Sequence, residues 1–197
     1  TNPGAHGVDL SMVVPNFQSG DRLREFLPHL EDELAKARLR YEIIVVDDAS
    51  RDGSVALLEG ELAPLVDKLV KHPVHRGKGA ALRSGFAHAR GQYVVVQDAD
   101  LEYDPREFGK LLAPSREGKA DVVFGSRFIS GGTRRVLYFW HYLANFGLTL
   151  ATNVFSNLNV SDMETCYKVF RRDIIQGMRL VEDRFGFEPE VTLKLSR

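Results

Sequence analysis

Apolar positions along the chain alternate between two spacings. Short runs rich in β-branched residues occur at Leu10 to Val14, Tyr41 to Val46, Asp67 to Lys71, Tyr93 to Val96 and Asp121 to Gly125. They are mostly apolar on both faces, the pattern of parallel strands covered by helices. Between the first two runs, Leu23, Phe26, Leu27, Leu30 and Leu34 recur at helical spacing, with Asp21 as the expected N-cap. Pro28 interrupts that segment and predicts a kink or a late start. Further helices are predicted from about Gly77 to Ala89 and from Pro105, a residue suited to a first turn, to about Ser115. The alternation gives a βαβ series, hence an α/β sandwich with a mainly parallel central sheet and helices on both faces.

Composition narrows the reading only a little. The 197 residues suit one domain, taken as 9–197, behind a lead-in at 1–8 that is expected to be flexible. The opening "TNPGAHGVD" has no basic segment followed by an apolar one and is not read as a secretory signal. A hydrophobic fraction of 44% is ample for a core, and a net charge of -1 with dispersed Lys and Arg argues against nucleic acid as a partner. The one cysteine, Cys166, excludes an internal disulfide framework, fits a reducing compartment and reads as a small buried hydrophobe.

Open α/β sheets bind ligands outside the carboxyl ends of their strands. There the sequence places Pro15 to Ser19, then Asp47-Asp48-Ala49-Ser50, then His75-Arg76-Gly77-Lys78-Gly79, then Asp98-Ala99-Asp100, then Ser126-Arg127. After the valines of "QYVVVQDADLEYDP" a carboxylate recurs at every second position: Asp98, Asp100, Glu102 and Asp104. Side chains two apart in an extended segment share a face, so these acids repel unless a cation relieves them. A pair such as Asp98 and Asp100 suits Mg²⁺ or Mn²⁺, held by one or two carboxylates together with substrate phosphates. Arg76 and Lys78 lie near where such phosphates would sit.

Three arginines, Arg127, Arg134 and Arg135, precede "VLYFWHYLANFGLTLATNVFSNL", Val136 to Leu158, which contains no charged residue. Arginine presents a fork that matches phosphate oxygens. On a helix, His141, Asn145, Thr149, Thr152 and Ser156 form a narrow polar stripe and the rest is apolar. The segment is too polar for a comfortable span yet wide in its apolar arc. A lipid-facing helix pair broken near Gly147, with 128–160 as acceptor loop and apolar helices, is one reading; a core or dimer helix is the other.

Together these motifs resemble the family 2 glycosyltransferases of GT-A fold, in the branch of dolichol-phosphate mannose synthases and bacterial polyprenyl-phosphate sugar transferases. The matching pieces are "VVPNFQSGDRL", "EIIVVDDASRDGS", "HRGKGAALRSG", "VVVQDADLEYDP", "DVVFGSRF", "NVSDMETCYKVFRRD" and "RFGFEPEVT". The resemblance implies a Rossmann-like GT-A sandwich, a nucleotide-sugar donor, Mg²⁺ or Mn²⁺, and a polyprenyl phosphate acceptor reached at the cytoplasmic face of a membrane. It implies donor contacts from Pro15, Phe17, Ser19, Val46, Asp47, Asp48, Lys78, Gln97, Asp98, Ala99 and Lys168. The metal would fall to Asp98, Asp100 and Glu102, the acceptor phosphate to Arg127, Arg134 and Arg135, and catalysis to Asp100 and Arg127. Ser19 stands where the family usually has Glu, which leaves the base open between uracil and guanine.

An acceptor phosphate is already anionic and attacks without a general base, with inversion. A hydroxyl acceptor needs a positioned carboxylate, for which Glu182, Asp183 and Glu188 are the candidates. No Q-x-x-R-W occurs, which argues against a processive polymerase, and "PNFQSGDRL" lacks the Gly-rich phosphate loop of a sugar nucleotidyltransferase. A soluble or hydroxyl acceptor, and a non-catalytic nucleotide-sugar-binding module, remain as alternatives.

Overall fold

The structure is a computed structural model that describes residues 7–36, 39–99, 108–126 and 139–196. Six strands form one sheet: β1 (Leu10–Asn16), β2 (Tyr41–Asp47), β3 (Lys68–Lys71), β4 (Tyr93–Val96), β5 (Val122–Phe124) and β6 (Lys168–Arg171). Their order is β3-β2-β1-β4-β6-β5, with β1, β2, β3 and β4 parallel and β6 antiparallel to both β4 and β5. The helices are α1 (Gly20–Lys36), α2 (Ser54–Glu59), α3 (Lys78–His88), α4 (Phe108–Arg116), α5 (Phe139–Ser156), α6 (Arg172–Gly177) and α7 (Phe187–Leu195), with a 3₁₀ turn at Ala63–Leu65.

Strand pleat sorts the apolar runs into two cores. Met12, Val14, Ile43, Val45 and Val95 meet Leu23, Phe26, Leu27 and Leu30 of α1 and Phe108 and Leu112 of α4. Val13, Ile44, Val46, Val94 and Val96 face the opposite way onto Leu82 and Phe86 of α3, Ile175 of α6 and Phe187 and Val191 of α7. Continuously apolar strands are thus sealed on both faces. Helix α3 comes so close to the sheet that a Cβ on Gly85 would collide with Val13.

Several expectations are corrected. The run at 168–171 was not read as a strand; in "YKVFRR" a lysine breaks the apolar pattern, yet Val169 and Phe170 complete the two cores and β6 is inserted between β4 and β5. Helix α1 begins at Gly20, whose N–H donates to the Asp52 carboxylate at 2.9 Å, so Asp21 sits in the first turn and is not the N-cap. Pro28 lies inside α1 and neither delays nor interrupts it. Its solvent-facing position lets water take up the carbonyl its ring leaves without a donor. Helix α5 likewise continues through Gly147 as one helix, against the reading of a pair broken there.

Candidate active site

Strand order reverses between β1 and β4, since β2 and β3 extend from one side of β1 and β4 from the other. A crevice outside the carboxyl ends forms at such a point. The ends of β1, β2 and β4 bring there Asn16-Phe17, Asp47-Asp48 and Gln97-Asp98.

Asp48 organises one side. Its Oδ1 lies 2.7 Å from His72 Nδ1 and 3.0 Å from the Arg76 N–H, while Oδ2 lies 2.8 Å from His75 Nδ1 and 2.6 Å from the Gly77 N–H. Burial works against this carboxylate's charge, but those donors outweigh it and hold it below the usual carboxylate range. Its role here is to fold the 72–77 loop, and a nucleoside would compete with four donors for its oxygens. Gly77 is required in that loop: its φ is 104°, and a Cβ would lie 2.6 Å from the Asp183 carbonyl. His75, so fixed, stacks on Phe17 with ring centroids 4.0 Å apart. Phe17 is 42% exposed, so the pair offers an aromatic shelf at the rim.

Asp47 and its neighbours are structural supports. Asp47 Oδ2 accepts from Asn16 Nδ2 at 2.7 Å and Oδ1 from the Ser50 N–H at 2.9 Å. Pro15 is part of β1, opposite Val46. Val46 is fully buried, so its side chain offers nothing to a ligand. Ser19 turns its hydroxyl back to the Phe17 carbonyl at 3.2 Å. Gln97 and Ala99 are both buried; Gln97 Nε2 donates to the Asp98 carbonyl at 3.2 Å.

The other side is a knot of charge. Lys78 Nζ lies 2.9 Å from Asp98 Oδ2, 3.1 Å from Glu188 Oε1 and 2.8 Å from Cys166 Sγ. Burial opposes the Lys78 charge, but Asp98, Cys166 and Glu188 prevail and hold its ammonium form well above the usual lysine range. Burial pushes the Cys166 thiol up to about 12, with Lys78 pulling the other way. Cys166 packs against the first core, as expected of a small hydrophobe, and also turns its Sγ to Lys78 in this knot. Lys168 is sealed beneath the Phe124 ring, 4.8 Å from its centroid, and donates to the Met163 and Thr165 carbonyls. Burial brings it down to about 8, against the pull of Glu188. A lysine so enclosed braces the 163–168 loop.

Glu188 is held at the knot because it shares the buried face of α7 with Val191 and Thr192, three and four residues on. That spacing is visible in "FEPEVT" and was the signal available for it. His72 carried no such signal, since only folding brings β3's end to Asp48. Among the acids considered as bases, Glu182 and Asp183 lie on the segment packed over α3, where the Asp183 carbonyl accepts the Ala80 N–H at 3.0 Å and Arg83 pairs with both residues.

The site's metal-binding set is only partly in view. Asp98 is described, whereas Asp100, Glu102, Arg127, Arg134 and Arg135 lie outside the described residues, and among the described residues no cluster of three or more acids, His or Cys is arranged to hold an ion. Asp98 fits a cation, because it already draws the Lys78 ammonium to 2.9 Å.

Helix α5 packs beside this knot with its polar stripe inward. Asn145 Nδ2 donates to Asp162 Oδ1 at 3.1 Å, and Thr149 Oγ1 accepts the Met163 N–H at 3.2 Å. Its apolar arc faces out: Trp140 is 73% exposed and Phe155 82%, with Phe146, Leu150 and Val154 between them also exposed. No described helix is long and apolar enough to cross a membrane.

The family described as "Glycosyl transferase family 2" matches residues 11–178. Among similar curated proteins, the undecaprenyl-phosphate 4-deoxy-4-formamido-L-arabinose transferase of Pseudomonas fluorescens (strain Pf0-1) is 34% identical over 191 residues, covering 95% of this chain and 54% of that protein. The dolichol-phosphate mannosyltransferase of Pyrococcus furiosus is 26% identical over 187 residues, covering 94% and 52%. The chain spans about half the length of these relatives. Glucosyl-3-phosphoglycerate synthase from Mycobacterium tuberculosis, solved with Mg²⁺ and uridine-diphosphate, superposes with a TM-score of 0.69 at 18% identity, over 93% of this chain and 63% of that one. S. aureus TarS in complex with UDP gives 0.63 at 18% identity, over 95% and 54%. At such identities the structural likeness establishes the fold, the GT-A sandwich.

Proposed function

From the premise that the chain belongs to glycosyl transferase family 2, we propose that it is the catalytic core of an inverting glycosyltransferase that moves a sugar from a UDP- or GDP-sugar to a polyprenyl phosphate at a membrane surface. The observation that supports this reading is the inverted helix α5. Its inner face grips the 160–165 loop, which leads directly into Cys166 at the Lys78-Asp98 knot, and its outer face is apolar and unsheltered. An acceptor with a phosphate head and a long apolar tail matches a charged site flanked by such a helix. The named relatives use undecaprenyl or dolichol phosphate.

The nucleoside lies against the Phe17-His75 shelf, with Asp48 holding His75 in place. Lys78, presented from the start of α3, meets the donor diphosphate. Asp98, with Asp100 and Glu102 from the sequence motif, would hold Mg²⁺ or Mn²⁺, which as a Lewis acid stabilises the charge on a departing diphosphate. Arg127, Arg134 and Arg135 receive the acceptor phosphate, which needs no base because it is anionic at neutral pH. Glu188, buried against Lys78, is not placed to serve as a base for a hydroxyl acceptor.

The test is transfer of radiolabelled sugar from UDP- and GDP-sugars to polyprenyl phosphate in liposomes, with Mg²⁺ or Mn²⁺. Transfer that depends on the lipid phosphate and is lost in Asp98→Asn, with the fold retained by circular dichroism, is the expected result. Equal transfer to a water-soluble acceptor without liposomes would overturn the acceptor assignment.

A further inference from the structure

Lys78 sits where a metal-binding carboxylate needs its cation. Its ammonium is 2.9 Å from Asp98 Oδ2, and that contact forms without any ligand. A divalent cation on Asp98 would bring like charges into direct contact with the ammonium, which neither tolerates in a site this buried. Lysine, a point charge on a flexible stem, is able to swing away where an arginine fork would not. Glu188 determines where it goes. This carboxylate is buried on α7 between the core residues Phe187 and Val191, and already binds Lys78 through Oε1 at 3.1 Å. Its Oε2 is buried with no hydrogen-bond partner among the described residues, an arrangement that leaves a desolvated acceptor unused. Glu188 therefore has acceptor capacity to keep an ammonium that has left Asp98.

We propose, building on the donor and metal reading above, that Lys78 is the resident counter-cation of Asp98 and exchanges from Asp98 to the donor diphosphate as a divalent cation binds, with Glu188 as the positioning residue that retains it. Metal alone is then bound weakly, since it must displace an ammonium that gains no new anion. The diphosphate supplies that anion, so metal and nucleotide bind together, each raising the other's affinity by the same factor.

The exchange is tested on the whole chain by titrating Mn²⁺ and following the free ion by electron paramagnetic resonance, with and without UDP or GDP. In Lys78→Met, Mn²⁺ without nucleotide is expected to bind roughly tenfold more tightly, the scale of removing a like charge in direct contact, and the gain produced by nucleotide should shrink by a similar factor. Lys71→Met removes a half-exposed cation that pairs with Glu59 and does not touch Asp98, and should change either value by no more than about twofold. Because Lys78→Met leaves two acids facing each other, Glu188→Gln provides a second arm: the ammonium then belongs to Asp98 alone, and nucleotide-free Mn²⁺ binding weakens. Unchanged Mn²⁺ affinity in Lys78→Met or Glu188→Gln, or an equal effect of Lys71→Met, would overturn the exchange. Absence of any Asp98-dependent Mn²⁺ binding, with or without nucleotide, would instead overturn the metal reading on which it rests.

Discussion

Helices α1 and α5 are nearly equal in length and opposite in construction. In α1, Leu23, Phe26, Leu27, Leu30 and Leu34 are fully buried and the charged positions face water, except the half-buried Glu31 and Glu33. In α5, Asn145, Thr149, Thr152 and Ser156 are the buried positions, while Trp140, Phe146, Val154 and Phe155 are exposed. The first is held to the domain by transfer of apolar surface out of water. The second is held by hydrogen bonds to Asp162 and Met163, and leaves its apolar surface exposed. A helix that spends polar residues on its own fold leaves its apolar ones for a partner, and under the function proposed above that partner is a bilayer interface.

The contrast is broken or sharpened by substitution. The largest effect is expected for Phe26→Ala in α1, a loss of about 3–5 kcal/mol in denaturant unfolding from the lost transfer energy and the cavity left behind, with liposome association unchanged. An intermediate loss of about 1–3 kcal/mol is expected for Thr149→Val, which keeps the shape of the inner face of α5 but removes the acceptor of the buried Met163 N–H. A neutral result there would mean that the polar stripe does not secure the helix. The smallest stability change is expected for Phe155→Ser and Val154→Ser, within about 0.5 kcal/mol, because both are largely exposed. The same variants should weaken sedimentation with anionic liposomes, each by up to about 2 kcal/mol of partition energy. Should Phe155→Ser destabilise the fold as Phe26→Ala does, the two helices would be alike and the outer arc of α5 would belong to a protein interface.

Much of the architecture was legible along the chain because strand and helix periods are local properties. The valine and isoleucine runs and the α1 leucines could bury their apolar surface in only one arrangement, an alternating sandwich. The acids and glycines at the strand ends are local in the same sense, since their order gathers charge at one sheet edge before any fold is known. Strand β6 was not legible, because its partners lie more than seventy residues away in β4 and about forty-five away in β5, and Lys168 at its start disguised it. Nor was the division of labour within the site. Asp47 and Asp48 are adjacent acids of one motif, yet one braces the β1 and β2 ends and the other folds the 72–77 loop.

What the sequence determined by itself was the set of local patterns: that five apolar runs are strands, that α5 has a polar stripe and an apolar arc, and that charge gathers at one edge. What only the tertiary structure decided was which face of α5 turns inward, that Lys168 is sealed while Lys78 meets Asp98, and that Cys166 and Glu188 complete the knot. The reason is physical: periodicity records how a segment divides its own surface, whereas burial and pKa depend on charges and apolar walls brought in from distant segments.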